Sequence, residues 1–344
     1  MPTKDKEDWV RPALTQVEKR LQELNSYANP VLAPITGFIL SQGGKRLRPR
    51  LVLLCSDIYG ADPGARADVA AALELIHSAS LLHDDVVDNS NLRRGQPSTN
   101  QRWGNSTAVL AGDFLFARAY GTLSRYPDIL AIVSRAISTM CLGELNQLYT
   151  HFDEDTTPEE YVDTIISKTA SLIVASCDCG AALSPMPEEE KAIISRFALH
   201  LGIAFQVIDD LADYVLPENI SGKPRGSDIR NGIVTLPLLY LLANPRTRPR
   251  VQTLLAEKQP LEPSMLAPEL ANIGAIGKTG AIACHHLDQG IGLLARLPSR
   301  PAVRGLADLA AELKISCQAL SDHPPFAQGL GQPAQQPHSG ISPG

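Results

Sequence analysis

From Met186 to Val215 the chain reads MPEEEKAIISRFALHLGIAFQVIDDLADYV, with no proline after Pro187. Acids follow the proline and apolar residues recur at helical spacing, so the segment is expected to be one long helix. TPEEYVDTIISKTASLIVASCDCGAAL, from Thr157, opens the same way. Thr157 suits an N-cap, Pro158 the first helical position, and acids fill the first turn. Elsewhere stretches rich in Ala, Leu and Ile alternate with short breaks such as GADPGA (60–65), SRYPD (124–128) and ANPRTRP (243–249). No alternating β pattern interrupts this rhythm. The expectation is an all-α protein, with roughly ten or more helices in one large single-domain bundle over residues 1–320.

Bulk properties narrow the function. Apolar residues make up 44% of the 344, enough for a large core. The formal charge of -6 is spread without a single-sign block, so nucleic acid is not an expected partner. No uncharged apolar run of about 18 residues suggests a membrane-spanning helix. MPTKDKEDWVRPAL lacks the apolar centre of a signal peptide, and six scattered cysteines suggest buried thiols, so a cytoplasmic location is expected. The last 24 residues, 321–344, contain nine Gly and Pro and are expected to be a disordered tail.

The chemistry lies where apolar runs meet acids. LLHDDVVDNSNLRRG (81–95) carries Asp84, Asp85 and Asp88, and FQVIDDLADY (205–214) repeats the D-D-x-x-D spacing with Asp209, Asp210 and Asp213. On a helix the first and last acid of each cluster share a face and repel. Semi-buried carboxylates need partners, and Mg²⁺ is a natural one. It takes one or two carboxylates, keeps waters and leaves positions for phosphates. Arg93 and Arg94 follow the first cluster, and GGKRLRPR (43–50) adds Lys45, Arg46, Arg48 and Arg50 behind Gly43 and Gly44. Guanidinium forks match phosphate oxygens, so a second diphosphate held without metal is expected. CHH at 284–286 has no spaced partner in the sequence, and CDC at 177–179 reads as packing.

Over about 20–320 the chain resembles the trans-isoprenyl diphosphate synthases, the head-to-tail polyprenyl synthases. The motifs are GGKRLRP (43–49), LLHDDVVDNSNLRRGQPSTN (81–100), AGDFLFARA (111–119), SKTASLI (167–173), GIAFQVIDDLADY (202–214) and GKPRGSDIRNGIVTLPLLYLL (222–242). The resemblance implies an all-α bundle around a central cavity, the isoprenoid synthase fold, usually dimeric. It implies a Mg²⁺-dependent prenyltransferase joining isopentenyl diphosphate to an allylic diphosphate. By motif position Asp84, Asp88 and Asp209 are the implied metal ligands, with Asp85, Asp210 and Asp213 in support. Arg93, Lys168, Thr169, Gln206 and Lys223 are the implied allylic diphosphate contacts, Lys168 also standing beside the ionising centre. Lys45, Arg48, His77 and Arg94 are the implied isopentenyl diphosphate site.

Two features depart from the common pattern: Ile233 stands where many members have lysine, and no basic segment ends the chain. Four and five residues before Asp84, Ser80 and Ala79 are small where short-chain members carry an aromatic ring. Open space there implies a product of about C30 to C40, a length suited to a quinone side chain. Such a product implies transient contact with a membrane surface on release. A homodimer is the expected assembly, and heptaprenyl-type members raise the prospect of a non-catalytic partner subunit. The alternatives are a C15–C20 synthase, a terpene cyclase and a non-catalytic subunit. The second D-D-x-x-D and the basic turn argue against a cyclase, and six retained aspartates argue against an inactive subunit.

Overall fold

The computed structural model describes residues 10–26, 29–42, 44–221, 225–258 and 261–326. These are almost all helix, and the exception is a ladder of two two-residue strands, Leu92–Arg93 (β1) with Gln96–Pro97 (β2). That hairpin was not foreseen from the sequence. It is short because Asn89 and Arg94 both take positive φ, which turns the chain sharply on each side of Leu92.

The helices that carry the chemistry are long because their ends are well defined. α1 (Val10–Asn25), α2 (Leu32–Ser41) and α3 (Leu47–Asp57) precede α4 (Pro63–Val87). Asp62 caps α4 by accepting from Ala65 N, with Pro63 in the first turn. α5 (Thr99–Trp103) leads to α6 (Asn105–Leu123) and α7 (Pro127–Tyr149). α8 (Pro158–Ile165) starts on the expected Thr157, whose side chain accepts from Glu160 N while Glu160 accepts from Thr157 N at 2.8 Å. The chain then widens into a π-helical segment, Ile166–Ala170, before α9 (Ser171–Ala182). α10 (Glu188–Val215) follows as the single long helix expected over that stretch. Short helices α11 (Glu218–Ser221) and α12 (Ser227–Arg230) lead to α13 (Leu236–Ala243), α14 (Arg248–Ala256), α15 (Ala267–Asn272), α16 (Ala275–Leu294) and α17 (Pro301–Ser321).

α4 packs on α6, α3 on α9, and α10 on both α9 and α16. Small residues permit the close approaches: Ala70, Ala71 and Ala72 of α4 are wholly buried. Pro158–Ala182 and Glu188–Val215 are long and apolar enough to cross a membrane, but about half of each apolar stretch is buried in the bundle. Their apolar character is explained by core packing. All six cysteines are unbridged.

The boundary expected at residue 320 falls within α17, which runs to Ser321. Beyond it the chain stays on the body as far as Phe326, whose N donates to Tyr214 O at 2.8 Å and whose ring lies 5.6 Å from that of Tyr214. Residues 327–344 of the expected tail lie outside the described residues.

Candidate active site

The first acid cluster ends α4. Asp84 is half-buried, Asp85 is fully buried and Asp88 is exposed at the C-cap, its N donating to Asp84 O at 2.8 Å. Burial pushes the Asp84 carboxyl up to about 7; Lys168 opposes the shift, and Glu144 and Asp88 add to it. Asp85 has a different task. Its Oδ1 accepts from Arg93 Nε at 2.9 Å and its backbone O accepts from Asn100 Nδ2 at 3.0 Å, so it ties down the turn that follows α4. Burial still raises its pKa despite Arg93, and its Oδ2 has no hydrogen-bond partner among the described residues.

The second cluster divides its labour in the same way. Asp209 is exposed on α10, while Asp210 and Asp213 are buried. Asp210 accepts from Tyr161 OH at 2.6 Å and from Gln206 Nε2 at 2.7 Å. Asp213 accepts from Ser227 N at 3.2 Å, Ser227 Oγ at 3.1 Å and Asp228 N at 3.1 Å. It therefore fixes the start of α12 to α10. Asp85 and Asp213 act mainly as anchors, and Asp84, Asp88 and Asp209 keep solvent-facing positions.

The π segment joins the two clusters. Lys168 Nζ stands 2.8 Å from Glu144 Oε2 and also meets Gln147, both on α7. Burial alone would lower the Lys168 pKa; Glu144, then Asp88 and Asp84, more than offset it, so the ammonium is held charged. On the next residue, Thr169 Oγ1 donates to Gln206 Oε1 at 2.6 Å. A continuous chain of hydrogen bonds thus runs Thr169–Gln206–Asp210–Tyr161. π segments widen a helix and recur at functional sites.

A separate basic site forms around the turn before α3. Arg48 is buried, and its Nε has no partner among the described residues. Burial lowers its pKa to about 10, with Glu74 and Asp84 opposing. Arg94 lies against Gly44, where a Cβ would stand 3.0 Å from the guanidinium, and donates to Gln42 O at 3.3 Å. Burial holds the His77 pKa well below its usual value, with the charges of Arg48 and then Arg94 acting in the same direction. An imidazole in the field of two guanidiniums, with Arg48 Nε lacking a partner among the described residues, suits an anionic ligand. Lys45 is exposed at the rim. Arg46, by contrast, is structural: it holds Glu18 at 2.7 Å and Glu74 at 2.8 Å. Lys223 and Gly43 lie outside the described residues.

Ser80 and Ala79 differ. Ser80 is partly open, on the α4 stripe it shares with His77 and Asp84, whereas Ala79 is 0% exposed, about 100° around the helix. Glu144, Gln147, His151 and Tyr161 were not singled out from the sequence. Glu144 and Gln147 recur three apart on α7, between exposed leucines, and that spacing was the available signal. His151 feels Asp88, Lys168 and Glu144, while burial lowers its pKa.

The residues present fit Mg²⁺. Mutually repelling acids flank a carboxyl raised to about 7, and Asp85 Oδ2 is buried without a partner. Among the described residues no three His, Cys, Asp or Glu side chains form a ready cage. A hard cation that draws most of its ligands from water and phosphate needs none.

Comparison with known proteins decides the family. Residues 29–268 match the polyprenyl synthetase family. The chain belongs to that family. It is a prenyltransferase of the trans-isoprenyl diphosphate synthase type. It is 36% identical to heptaprenyl diphosphate synthase component 2 of Geobacillus stearothermophilus over 299 residues, 86% of this chain and 93% of that one. It is also 36% identical to the octaprenyl diphosphate synthase of Escherichia coli over 302 residues, 85% of this chain and 93% of the other. The polyprenyl synthase of Caulobacter crescentus, solved with calcium and isoprenyl diphosphate, superposes with a TM-score of 0.85 at 30% identity, covering 92% of this chain and 97% of its own. The prenyltransferase therefore has the all-α isoprenoid synthase fold.

Proposed function

We propose that this prenyltransferase joins isopentenyl diphosphate head-to-tail to an allylic diphosphate in a Mg²⁺-dependent reaction, giving an all-trans product of medium to long chain. One observation carries the proposal: on one π segment Lys168, bonded to Glu144, lies in the field of Asp84 and Asp88, and its neighbour Thr169 is linked through Gln206 to Asp210, while Arg48, His77 and Arg94 supply a distinct anion site. Two diphosphate sites of different chemistry match a reaction with two diphosphate substrates.

Asp84, Asp88 and Asp209 would hold the metal, which when bound neutralises the departing diphosphate. Lys168, kept charged by Glu144, stands at the same diphosphate and favours its departure. The allylic C–O bond breaks and releases diphosphate, the double bond of isopentenyl diphosphate forms the new C–C bond, and the proton lost from the adjacent carbon passes to the departed diphosphate. Arg48 and Arg94 orient the second substrate by its diphosphate, and neutral His77 adds a hydrogen bond without a competing charge.

The small Ser80 and the names of the hepta- and octaprenyl relatives support a long product, about C30 to C40, in place of C15–C20. Leu142, Leu145 and Tyr149 form one exposed stripe on α7, with Leu110 exposed on α6. Apolar surface of this kind supports a homodimer through α6 and α7, with a non-catalytic partner as the second reading. Unbridged cysteines support a reducing cytoplasm. The test is incubation with labelled isopentenyl diphosphate and each allylic primer, with and without Mg²⁺, followed by chromatography. Metal-dependent elongation past C20 is expected. Turnover unaffected by chelation would sink the metal assignment, and arrest at C15–C20 would sink the chain length.

A further inference from the structure

One hairpin serves both diphosphate sites. Arg93 and Arg94 are adjacent on it, yet Arg93 meets Asp85 while Arg94, at φ 52°, turns to Gln42 O and Gly44. The ladder has only two residue pairs, Leu92 with Pro97 and Arg93 with Gln96. So short a hairpin is not stable by itself. Residues 94–97 are exposed, so core packing does not hold its tip.

The base of the hairpin is held by the residues that open α5. Ser98 N donates to Asn91 O at 3.0 Å, and Ser98 Oγ donates to Ser90 O at 2.6 Å. Asn100 Nδ2 donates at 3.0 Å to Asp85 O, which also accepts from Ser90 N at 2.9 Å. Both side chains forgo an ordinary role. Ser98 stands at the N-cap of α5, where serine commonly caps, but its side chain makes no cap bond. Asn100 Oδ1 is buried with no partner among the described residues. An unpaired buried amide oxygen costs stability, so Asn100 is poorly explained as a stabiliser of the fold. What it does supply is one bond to the residue whose carboxylate holds Arg93.

We propose that Asn100, backed by Ser98, is a positioning residue for both substrates. It pins the base of the hairpin to the end of α4 and so fixes where Arg93 and Arg94 meet their diphosphates. The inference rests on the assignment of Arg93 to the allylic diphosphate and Arg94 to isopentenyl diphosphate. Arg93 Nε is tied to Asp85 Oδ1 at 2.9 Å, a bond that is shared once a phosphate oxygen draws on the same guanidinium. The bonds from Ser98 and Asn100 involve neither guanidinium and end on backbone oxygens. They hold the hairpin while its arginines are occupied.

The test is steady-state kinetics of the full chain with Mg²⁺, each substrate varied in turn, beside melting curves. Asn100→Ala, and Asn100→Asp, which keeps the size but loses the amide donor, should raise KM for both substrates by about tenfold each. Asn100→Ala should melt close to the unaltered enzyme, because Asp85 O keeps Ser90 N and the unpaired Oδ1 is gone. Loss on both substrates separates it from Arg94→Ala, which should affect isopentenyl diphosphate alone. Added to Arg94→Ala, Asn100→Ala should leave the KM for isopentenyl diphosphate nearly where it was, since the group it positions is missing, and should still raise the allylic KM. Unchanged KM values in Asn100→Ala, or effects on isopentenyl diphosphate that multiply in the double variant, would overturn the inference and leave the two sites standing. Arg94→Ala with an unchanged KM would overturn the assignment beneath it, and the inference with it.

Discussion

A Cβ built on Gly143 would stand 2.6 Å from the backbone nitrogen of Lys168. α7 therefore presses directly on the backbone that carries the site lysine. On the other side of the same segment, a Cβ on Gly202 would stand 2.6 Å from the Cβ of Ala170. The π segment is gripped between two glycines, and its position depends on both.

Gly143→Ala is expected to push the π segment out of place and to lower turnover by at least an order of magnitude while the helical circular dichroism persists. Backbone cannot yield as a flexible side chain does. Gly121→Ala, on α6, is the control: nothing lies within 4 Å of its added methyl. Alanine there should stabilise the helix by about 0.5–1 kcal/mol. Equal rates in both variants would show that Lys168 does not depend on its seat.

Asp84 gives a pH signature. Its carboxyl is raised from 3.8 to about 7 in the metal-free protein, with burial the main cause. The unfolded chain ionises this group near 3.8, so ionisation favours the unfolded state increasingly as pH rises from about 4 to 7. Asp84→Asn should therefore melt higher than the unaltered metal-free protein at pH 7 and above, and the gain should vanish at pH 4. Mg²⁺ needs the ionised form, so its half-saturating concentration should climb about tenfold per pH unit below 7. The variant should be nearly inactive. Titration of Mg²⁺ between pH 6 and 8 and paired melts test both statements. A flat Mg²⁺ profile would remove Asp84 from the metal site.

The basic site predicts a division between substrates. Arg48 is buried, and its Nε has no partner among the described residues, which leaves it to an anionic substrate group. Arg48→Ala and Arg94→Ala should mainly raise KM for isopentenyl diphosphate, each by about 1.5–3 kcal/mol of lost charged hydrogen bonding. Lys168→Ala should instead slow single-turnover ionisation of the allylic substrate. Steady-state kinetics with each substrate varied in turn separates these outcomes. A Lys168→Ala enzyme impaired only toward isopentenyl diphosphate would mean the two sites are exchanged.

These contrasts mark what the sequence could convey. The D-D-x-x-D spacing sufficed to place Asp84 and Asp88 on one face, because helical period is local. It could not separate metal-facing from anchoring acids. Asp85 meets Arg93 across a turn, and Asp213 meets Ser227 and Asp228 fourteen and fifteen residues on. Those partners depend on how the chain folds back. The π segment was invisible for the same reason: SKTASLI reads as plain helix, and the Lys168–Glu144 and Thr169–Gln206 contacts and the close packing of Gly143 and Gly202 on it all come from other helices. The all-α fold was legible because periodicity and caps repeat along the whole chain.

The last prediction concerns product length and turns on one step around α4. Ala79 and Ser80 are adjacent, yet Ala79 is sealed in the core at 0% exposure while Ser80 stays partly open beside His77 and Asp84. A ring at Ser80 would project from the partly open face that also carries His77 and Asp84. A ring at Ala79 must displace packed neighbours. Ala79→Phe is therefore expected to destabilise the fold by about 1–3 kcal/mol. Ser80→Phe should leave the melting temperature nearly unchanged and shift products from long chains toward C15–C20, with the first condensation still fast. The measurement is the product distribution and melting curve of both variants beside the unaltered enzyme. Long products from a well-folded Ser80→Phe enzyme would show that the growing chain runs along another face of the bundle, and Ala79→Phe shortening products without loss of stability would show that the cavity opens past Ala79 during turnover.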